Sequence, residues 1–364
     1  MKLYYIANAR IPTEKAHGVQ IMKMCEAFVD AGHEVKLIVP KRKNPIQEDP
    51  FAYYSVKRNF TIKKLWCLDT VRFGFFGFLL EWLLFSETVF WYSFFGKQDI
   101  YFGRDYISLL YLAFFGRKTV WEAHTGEWNW FVWLFSKFGA RIVVISDGLK
   151  NFYISKGVSE EKIIVTRDAV DPQQFAVRIG KDEAKKNLGI KTDLPIVMYI
   201  GALGGWKGVD TLLAAAKLLK DKVQFVIIGG EEKQIKPLRA AYPEVLFLGF
   251  RPYRELSSHQ QAADVLVVPN TAKDAVSAKY TSPLKVFAHM TSGIPIIASD
   301  LPSIREVLNE SNAYFAKPDN PQSFAEVIKT VIENKAVAKQ KAEQASRDIE
   351  LYTWKKRAEI ITHF

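Results

Sequence analysis

The chain has 364 residues, 49% of them hydrophobic and 24% charged, with a formal net charge of +11. That balance excludes a disordered chain and suits two domains of ordinary size. Two cysteines, Cys25 and Cys67, and six scattered histidines give neither a disulfide framework nor zinc-ligand spacing, and point to a reducing, cytoplasmic compartment.

The first residues carry no secretory pattern and read as a buried strand over residues 2–7. A polar loop with Pro12 and Gly18 follows, then a helix over 21–31 and a strand over 35–39. Residues 73–95, from Phe73 to Phe95, are apolar enough to span a membrane by length. Glu81 and Glu87 within them argue against a span, since a charge at the bilayer centre costs at least about 2.5 kcal/mol. Two readings stand: a helix packed between the sheet and the tail, or an aromatic surface that dips into lipid headgroups, helped by the positive charge. Further strands are expected over 99–103, 119–122, 141–145 and 163–166. A charged, helical linker follows Pro172, running from 171 to 194. The second half offers strands over 196–200, 224–228, 245–247, 265–268 and 295–298, then a helix-rich tail over 322–364. Such alternation means parallel sheets with helices on both faces, an α/β chain whose ligand lies at the carboxyl ends of the strands.

Two stretches point to an anion. In Tyr280-Thr-Ser-Pro-Leu-Lys285, Ser282 suits a helix cap and Pro283 the first helical position. Lys285 then falls in the first turn, where a cation is mildly disfavoured unless a phosphate is bound there. The plainer alternative is a solvated lysine. Earlier, the expected strand 196–200 runs into Gly201-Ala-Leu-Gly-Gly-Trp-Lys-Gly208 and a helix over 209–220, which puts Lys207 at a second helix start. Glycine backbone lets an anion approach closely, although neither G-x-G-x-x-G nor G-x-x-x-x-G-K-[ST] is present, and a tight structural turn is the alternative. The chain holds no Asp-x-Asp, the simplest grip for a metal-bound diphosphate.

With these stretches, Phe247-Leu-Gly-Phe250, Ala263-Asp-Val-Leu-Val-Val-Pro-Asn270, Ile100-Tyr-Phe-Gly-Arg-Asp105, Trp121-Glu-Ala-His124, Val143-Val-Ile-Ser146 and Arg167-Asp-Ala-Val-Asp171 form an ordered series. The series resembles the family-4 glycosyltransferases (glycosyltransferase group 1), retaining nucleotide-sugar-dependent enzymes of the GT-B fold, nearly end to end. The resemblance implies two Rossmann-like doubly wound domains facing across a cleft: residues 1–172 on the acceptor side, 173–345 for the nucleotide sugar, and a final helix in 346–364 crossing back. It implies Lys207, Lys285 and His124 as catalytic residues. Gly18, Gly204, Gly205, Phe250, Thr281, Ser282, Pro283, Leu284 and Ala288 would hold the donor, with Gly18 the point of closest backbone approach. Unaided by the family, His124 reads as a satisfied strand-end histidine. Arg104 and Asp105, at another strand end, would meet the acceptor or phosphates, or else pair with each other. Asp168 is a further candidate. No metal and no cofactor beyond the donor substrate are implied.

The implied reaction is a metal-independent hexosyl transfer, with retention, to a glycan or lipid-linked acceptor. The implied place is the cytoplasmic face of a membrane, touched through residues 73–95 and the basic surface. Dispersed basic residues and no recognised motif argue against nucleic acid. Two departures stand out. The family's Glu–seven residues–Glu pair falls here on Tyr280 and Ala288, so the ribose acceptor is missing, and Ala202 replaces a frequent arginine. The alternative these departures support is a catalytically weak or silent sugar-nucleotide-binding protein.

Overall fold

The computed structural model describes residues 1–96, 98–138, 141–175 and 178–364. It divides into two compact units: Met1–Arg167 with Trp354–Phe364, and Asp168–Thr353. The change of unit thus falls at 167/168, a few residues before the expected 172. Residues 346–353 stay with the second unit, so the crossing segment begins at Trp354 instead of at 346.

The first unit holds a parallel sheet in the order β3-β2-β1-β4-β5-β6-β7. Its strands are β1 (Lys2–Ile6), β2 (Glu34–Pro40), β3 (Thr61–Leu65), β4 (Ile100–Gly103), β5 (Thr119–Ala123), β6 (Arg141–Val144) and β7 (Ile163–Val165). The central strands are buried on both faces, which explains their continuous apolar runs. Strand β3 was not expected. It is an edge strand whose two lysines and exposed face hide the apolar signal and guard the edge against pairing. The first helix, Ala16–Asp30, starts earlier than residue 21 and is buried along most of its length, from Gly18 to Phe28. The closing helix Trp354–His363 packs on it.

The helix Gly74–Phe94 has two unlike faces. One face, with Glu81, Phe85, Ser86, Val89, Phe90 and Ser93, is buried. Glu81 is wholly enclosed and paired with Arg42, which offsets part of the cost of its burial. The other face leaves Phe75, Phe76, Leu80 and Trp91 in solvent. Among the described residues this is the one helix long and apolar enough to cross a membrane (Val71–Phe94 with its first turn, mean hydropathy 1.4), and a third of it is buried in the protein.

The second unit holds a parallel sheet in the order β10-β9-β8-β11-β12-β13. Its strands are β8 (Ile196–Ile200), β9 (Gln224–Ile228), β10 (Val245–Gly249), β11 (Val265–Val268), β12 (Ile296–Ser299) and β13 (Tyr314–Ala316). The strand order reverses between β1 and β4 in one unit and between β8 and β11 in the other, the two places where a doubly wound sheet opens a crevice.

The turn after β8 depends on glycine in two different ways. Gly205 (φ +66) and Gly208 (φ +67) are both left-handed, but a Cβ on Gly205 would meet nothing, whereas one on Gly208 would lie 1.8 Å from the Pro269 carbonyl oxygen. Gly205→Ala is expected to cost about 1 kcal/mol, and Gly208→Ala about 3 kcal/mol or more, a drop of roughly 6 °C or more in the melting temperature of this unit. Equal losses in thermal melts would contradict the packing described for Gly208.

Candidate functional site

Strand β8 is buried throughout and ends in Gly201. The Tyr199 hydroxyl donates to the Ala202 carbonyl (2.7 Å) and so fixes the start of the turn. Lys285, second residue of the helix Leu284–Met290, donates to that hydroxyl (3.2 Å), and its ammonium lies 4.3 Å from the centre of the Tyr199 ring. A Cβ on Gly201 would stand 3.2 Å from Lys285 Nζ, so glycine is what admits the lysine head to the turn. Lys207 lies over the Trp206 indole at 3.1 Å. The two lysines therefore converge on the glycine-rich turn at the β8/β11 switch point. Among the described residues neither has a carboxylate partner. Desolvation brings Lys207 down to about 8. Desolvation, then the charge of Lys207, holds Lys285 well below the ordinary lysine range. A diphosphate would supply the counter-charge this turn lacks.

Around this turn the expected residues take different parts. Lys207 ends the 3-10 turn Gly205–Lys207 and precedes the helix Val209–Leu218, with left-handed Gly208 between them. Gly204 and Gly205 are exposed and open. Thr281, Ser282 and Pro283 are buried between the π-helical Val276–Tyr280 and the Lys285 helix, a local geometry often found at functional sites. The expected cap is corrected: Pro283 occupies the cap position with extended backbone, and Leu284 is the first helical residue. The Ser282 hydroxyl accepts the Asp168 backbone N–H instead (2.9 Å), which places buried Asp168 beside this segment. Phe250 is 48% exposed at the end of β10. Ala288 is 4% exposed and packs in an apolar cluster with Val268, Phe287 and Met290. Asn270, also at this switch point, was missed in the sequence. It is fully buried, and neither atom of its amide has a partner among the described residues.

In the first unit, Glu122 on β5 is completely enclosed and collects polar groups from β1, the first helix, the closing helix and the loop after its own strand. Arg357 of the closing helix approaches its Oε1 at 2.6 Å, Gln20 donates at 2.8 Å and Tyr5 at 3.2 Å, and His124 Nε2 lies 3.2 Å from Oε2. Burial raises the carboxyl, but Arg357, then His124 and Arg104, outweigh it and hold Glu122 well below the usual range. Burial, then the Arg104 charge, brings His124 to about 4, so its imidazole is neutral. Arg104 also donates to Gln20 (3.3 Å) and joins the same network. Glu122 and Arg357 were missed as site residues; the signal was a charged residue inside an otherwise apolar strand, Thr119–Ala123.

One expectation in this unit is corrected, and a second residue is placed more closely. Asp105 is 5% exposed and does not face an acceptor: it caps the helix Tyr106–Phe114 through Ile107 N–H and accepts from Trp82 and Ser108, both at 2.6 Å. It therefore does not pair with Arg104. Gly18 is closed off by Tyr54, whose hydroxyl would lie 2.2 Å from a Cβ there. That hydroxyl bridges the Thr13 N–H and carbonyl, so Tyr54 takes the room that a side chain at position 18 would need.

Residues 180–348 match the family described as glycosyl transferases group 1, and residues 17–174 match glycosyltransferase family 4. The chain belongs to this glycosyltransferase family. It is 23% identical over 229 residues to an uncharacterized glycosyltransferase of Methanocaldococcus jannaschii (59% of this chain, 56% of the relative). It is 27% identical over 223 residues to an N,N'-diacetylbacillosaminyl-diphospho-undecaprenol alpha-1,3-N-acetylgalactosaminyltransferase of Campylobacter jejuni (58% and 56%). The match thus spans a little over half the length of these curated relatives. The crystal structure of Anabaena HepE in complex with UDP-glucose superposes with a TM-score of 0.78 at 16% identity, covering 100% of this chain and 98% of that one. The fold is GT-B.

Two outcomes follow from the charges. Lys207 is cationic below about pH 8 and neutral above it. Affinity for UDP is therefore expected to fall between pH 7 and 9, with proton uptake on binding in calorimetry across buffers of different ionisation enthalpy. A flat profile without uptake would contradict the grip. Arg357→Met leaves Glu122 less balanced, at a cost of about 3–5 kcal/mol. In the folded fraction His124 should still titrate below the ordinary imidazole range, because burial and Arg104 hold it there, whereas Arg104→Met should raise it, as read by imidazole NMR. A His124 unmoved in Arg104→Met would refute this role for Arg104.

Proposed function

We propose that the protein moves a sugar from a nucleotide-diphosphate donor, with retention and without a metal ion, to a lipid-linked or glycan acceptor at the cytoplasmic face of a membrane. The observation that carries this reading is the convergence of Lys207 and Lys285, both desolvated and without carboxylate partners, on the glycine turn after β8. Negative charge on the diphosphate grows as the sugar departs. Cations fixed in advance at that place stabilise the transition state more than the ground state. The lysines do what a bound metal does in other sugar transferases, which supports metal independence. Retention comes with the family resemblance, in which the leaving diphosphate helps to deprotonate the acceptor. His124, held neutral beside Glu122, is a polar contact for the donor sugar, not a charged one. Phe250, exposed at the end of β10, offers an aromatic face to the base.

A membrane-presented acceptor is supported by the aromatic face of the helix Gly74–Phe94 and the net charge of +11. The name of the Campylobacter relative, which specifies a diphospho-undecaprenol acceptor, points the same way. The second reading, a weak or silent sugar-nucleotide binder, is favoured by Ala288, which offers a ribose no acceptor and is packed among apolar side chains.

Incubation with a panel of radiolabelled nucleotide sugars and membrane extract separates the two readings. Turnover that persists in chelator, with retained configuration at the anomeric carbon of the product, is expected. Loss of turnover in chelator would refute metal independence, and tight donor binding with no turnover would favour the silent reading. Ala288→Glu is expected to strengthen donor affinity about tenfold or more, the worth of a charge-assisted hydrogen bond. A folded variant with no gain would remove position 288 from the ribose site.

A further inference from the structure

At the carboxyl ends of β1, β2 and β3 the first unit holds a half-open cavity of about 910 Å³, and His17 in its wall feels the charges of Arg104, Lys15 and His124. Its wall carries Arg10, Lys15, Arg42, Lys43 and Arg72 against a single carboxylate, Asp69. That carboxylate is already engaged by the Lys43 backbone N–H (2.9 Å). Among the described residues no acidic side chain pairs with Arg10, Lys15, Lys43 or Arg72. Arg42 is of a different kind. Its guanidinium is locked to the enclosed Glu81 (Nε to Oε1, 2.9 Å) and to Asn8, a fixed fork at the base of the cavity with its charge already balanced. Like charges gathered without counter-charge repel one another, and a multiply charged anion relieves that cost. The volume suits a ligand larger than a single ion.

One side of the cavity is apolar. Val71 and Phe78 line it, and the turn that joins them displays Phe75 and Phe76, 73% and 81% exposed. Free inorganic anions have no use for such a flank, whereas a headgroup that carries a hydrocarbon chain does. We propose that this cavity holds the phosphate or diphosphate of a lipid-linked acceptor. Arg10, Lys43 and Arg72 grip the anion around the fixed Arg42, and the rings at Phe75, Phe76 and Phe78 take the first carbons of the lipid. The inference rests on the lipid-linked reading given above and narrows it to acceptors whose sugar is joined to lipid through phosphate.

Farnesyl diphosphate, a soluble mimic of such a headgroup, is the probe, with farnesol and inorganic pyrophosphate as its two halves. The variant is Arg10→Gln/Lys43→Gln/Arg72→Gln; Arg42 stays, because its loss would leave Glu81 buried and unpaired. Calorimetry should show farnesyl diphosphate binding at least tenfold tighter than either half. The triple variant should lose about a hundredfold of that affinity, while its affinity for UDP changes less than twofold. In membrane extracts the same variant should lose transfer of label into the lipid phase. Equal binding of pyrophosphate and farnesyl diphosphate would overturn the lipid flank. A variant that keeps its affinity for farnesyl diphosphate but no longer binds phosphatidylglycerol vesicles would show that these cations serve the membrane surface alone, and would overturn the proposal. Should wild type and variant transfer label equally well to lipid, the phosphate site is wrong while the lipid-linked reading stands. Should wild type put no label into lipid at all, the reading itself falls, and the proposal with it.

Discussion

The structure turns on a cost accepted at one place: two ammonium groups held near each other, partly stripped of water, at the end of a buried strand. Lysine alone would avoid such a position. Tyr199 holds it there, lending its hydroxyl and ring face to Lys285, while Gly201 leaves room for the head and Trp206 gives Lys207 an aromatic floor. The lowered proton affinities of both lysines measure the strain. A bound diphosphate would offset it, and its binding would then be coupled to proton uptake.

The first unit handles charge in the opposite way. Glu122 is a buried anion surrounded by donors from β1, the first helix and the closing helix, so its charge is spent within the protein. Arg357 is the first of the charges that hold Glu122 down, whereas burial and Arg104 are what keep His124 neutral. Truncation of the last helix would therefore strip Glu122 of its main counter-charge as well as remove the packing on Ala16–Asp30.

How much of this was legible depended on the range of the interaction. Strands β8, β11 and β12 are short apolar runs buried on both faces, and the sequence marks them almost residue for residue. Strand β13 has three residues and β3 carries two lysines, so neither has a readable period. The two lysines stood out in the sequence because each was expected at the front of a helix, where a cation is mildly disfavoured. In the fold Lys285 takes that place, while Lys207 ends a 3-10 turn ahead of left-handed Gly208. What decided the rest was tertiary. The Ser282 hydroxyl is taken by Asp168, Tyr54 fills the space beside Gly18, and Trp82 and Ser108 claim Asp105. The Glu122–Arg357 pair joins residues no sequence window brings together.

The central claim is that these two cations grip the diphosphate of the donor. The most direct test is the dissociation constant of UDP for Lys207→Met/Lys285→Met, with folding verified by thermal melt. The account predicts a loss of about a hundredfold or more, at roughly 1.5–3 kcal/mol for each charge-assisted contact. An unchanged dissociation constant in the folded double variant would contradict it.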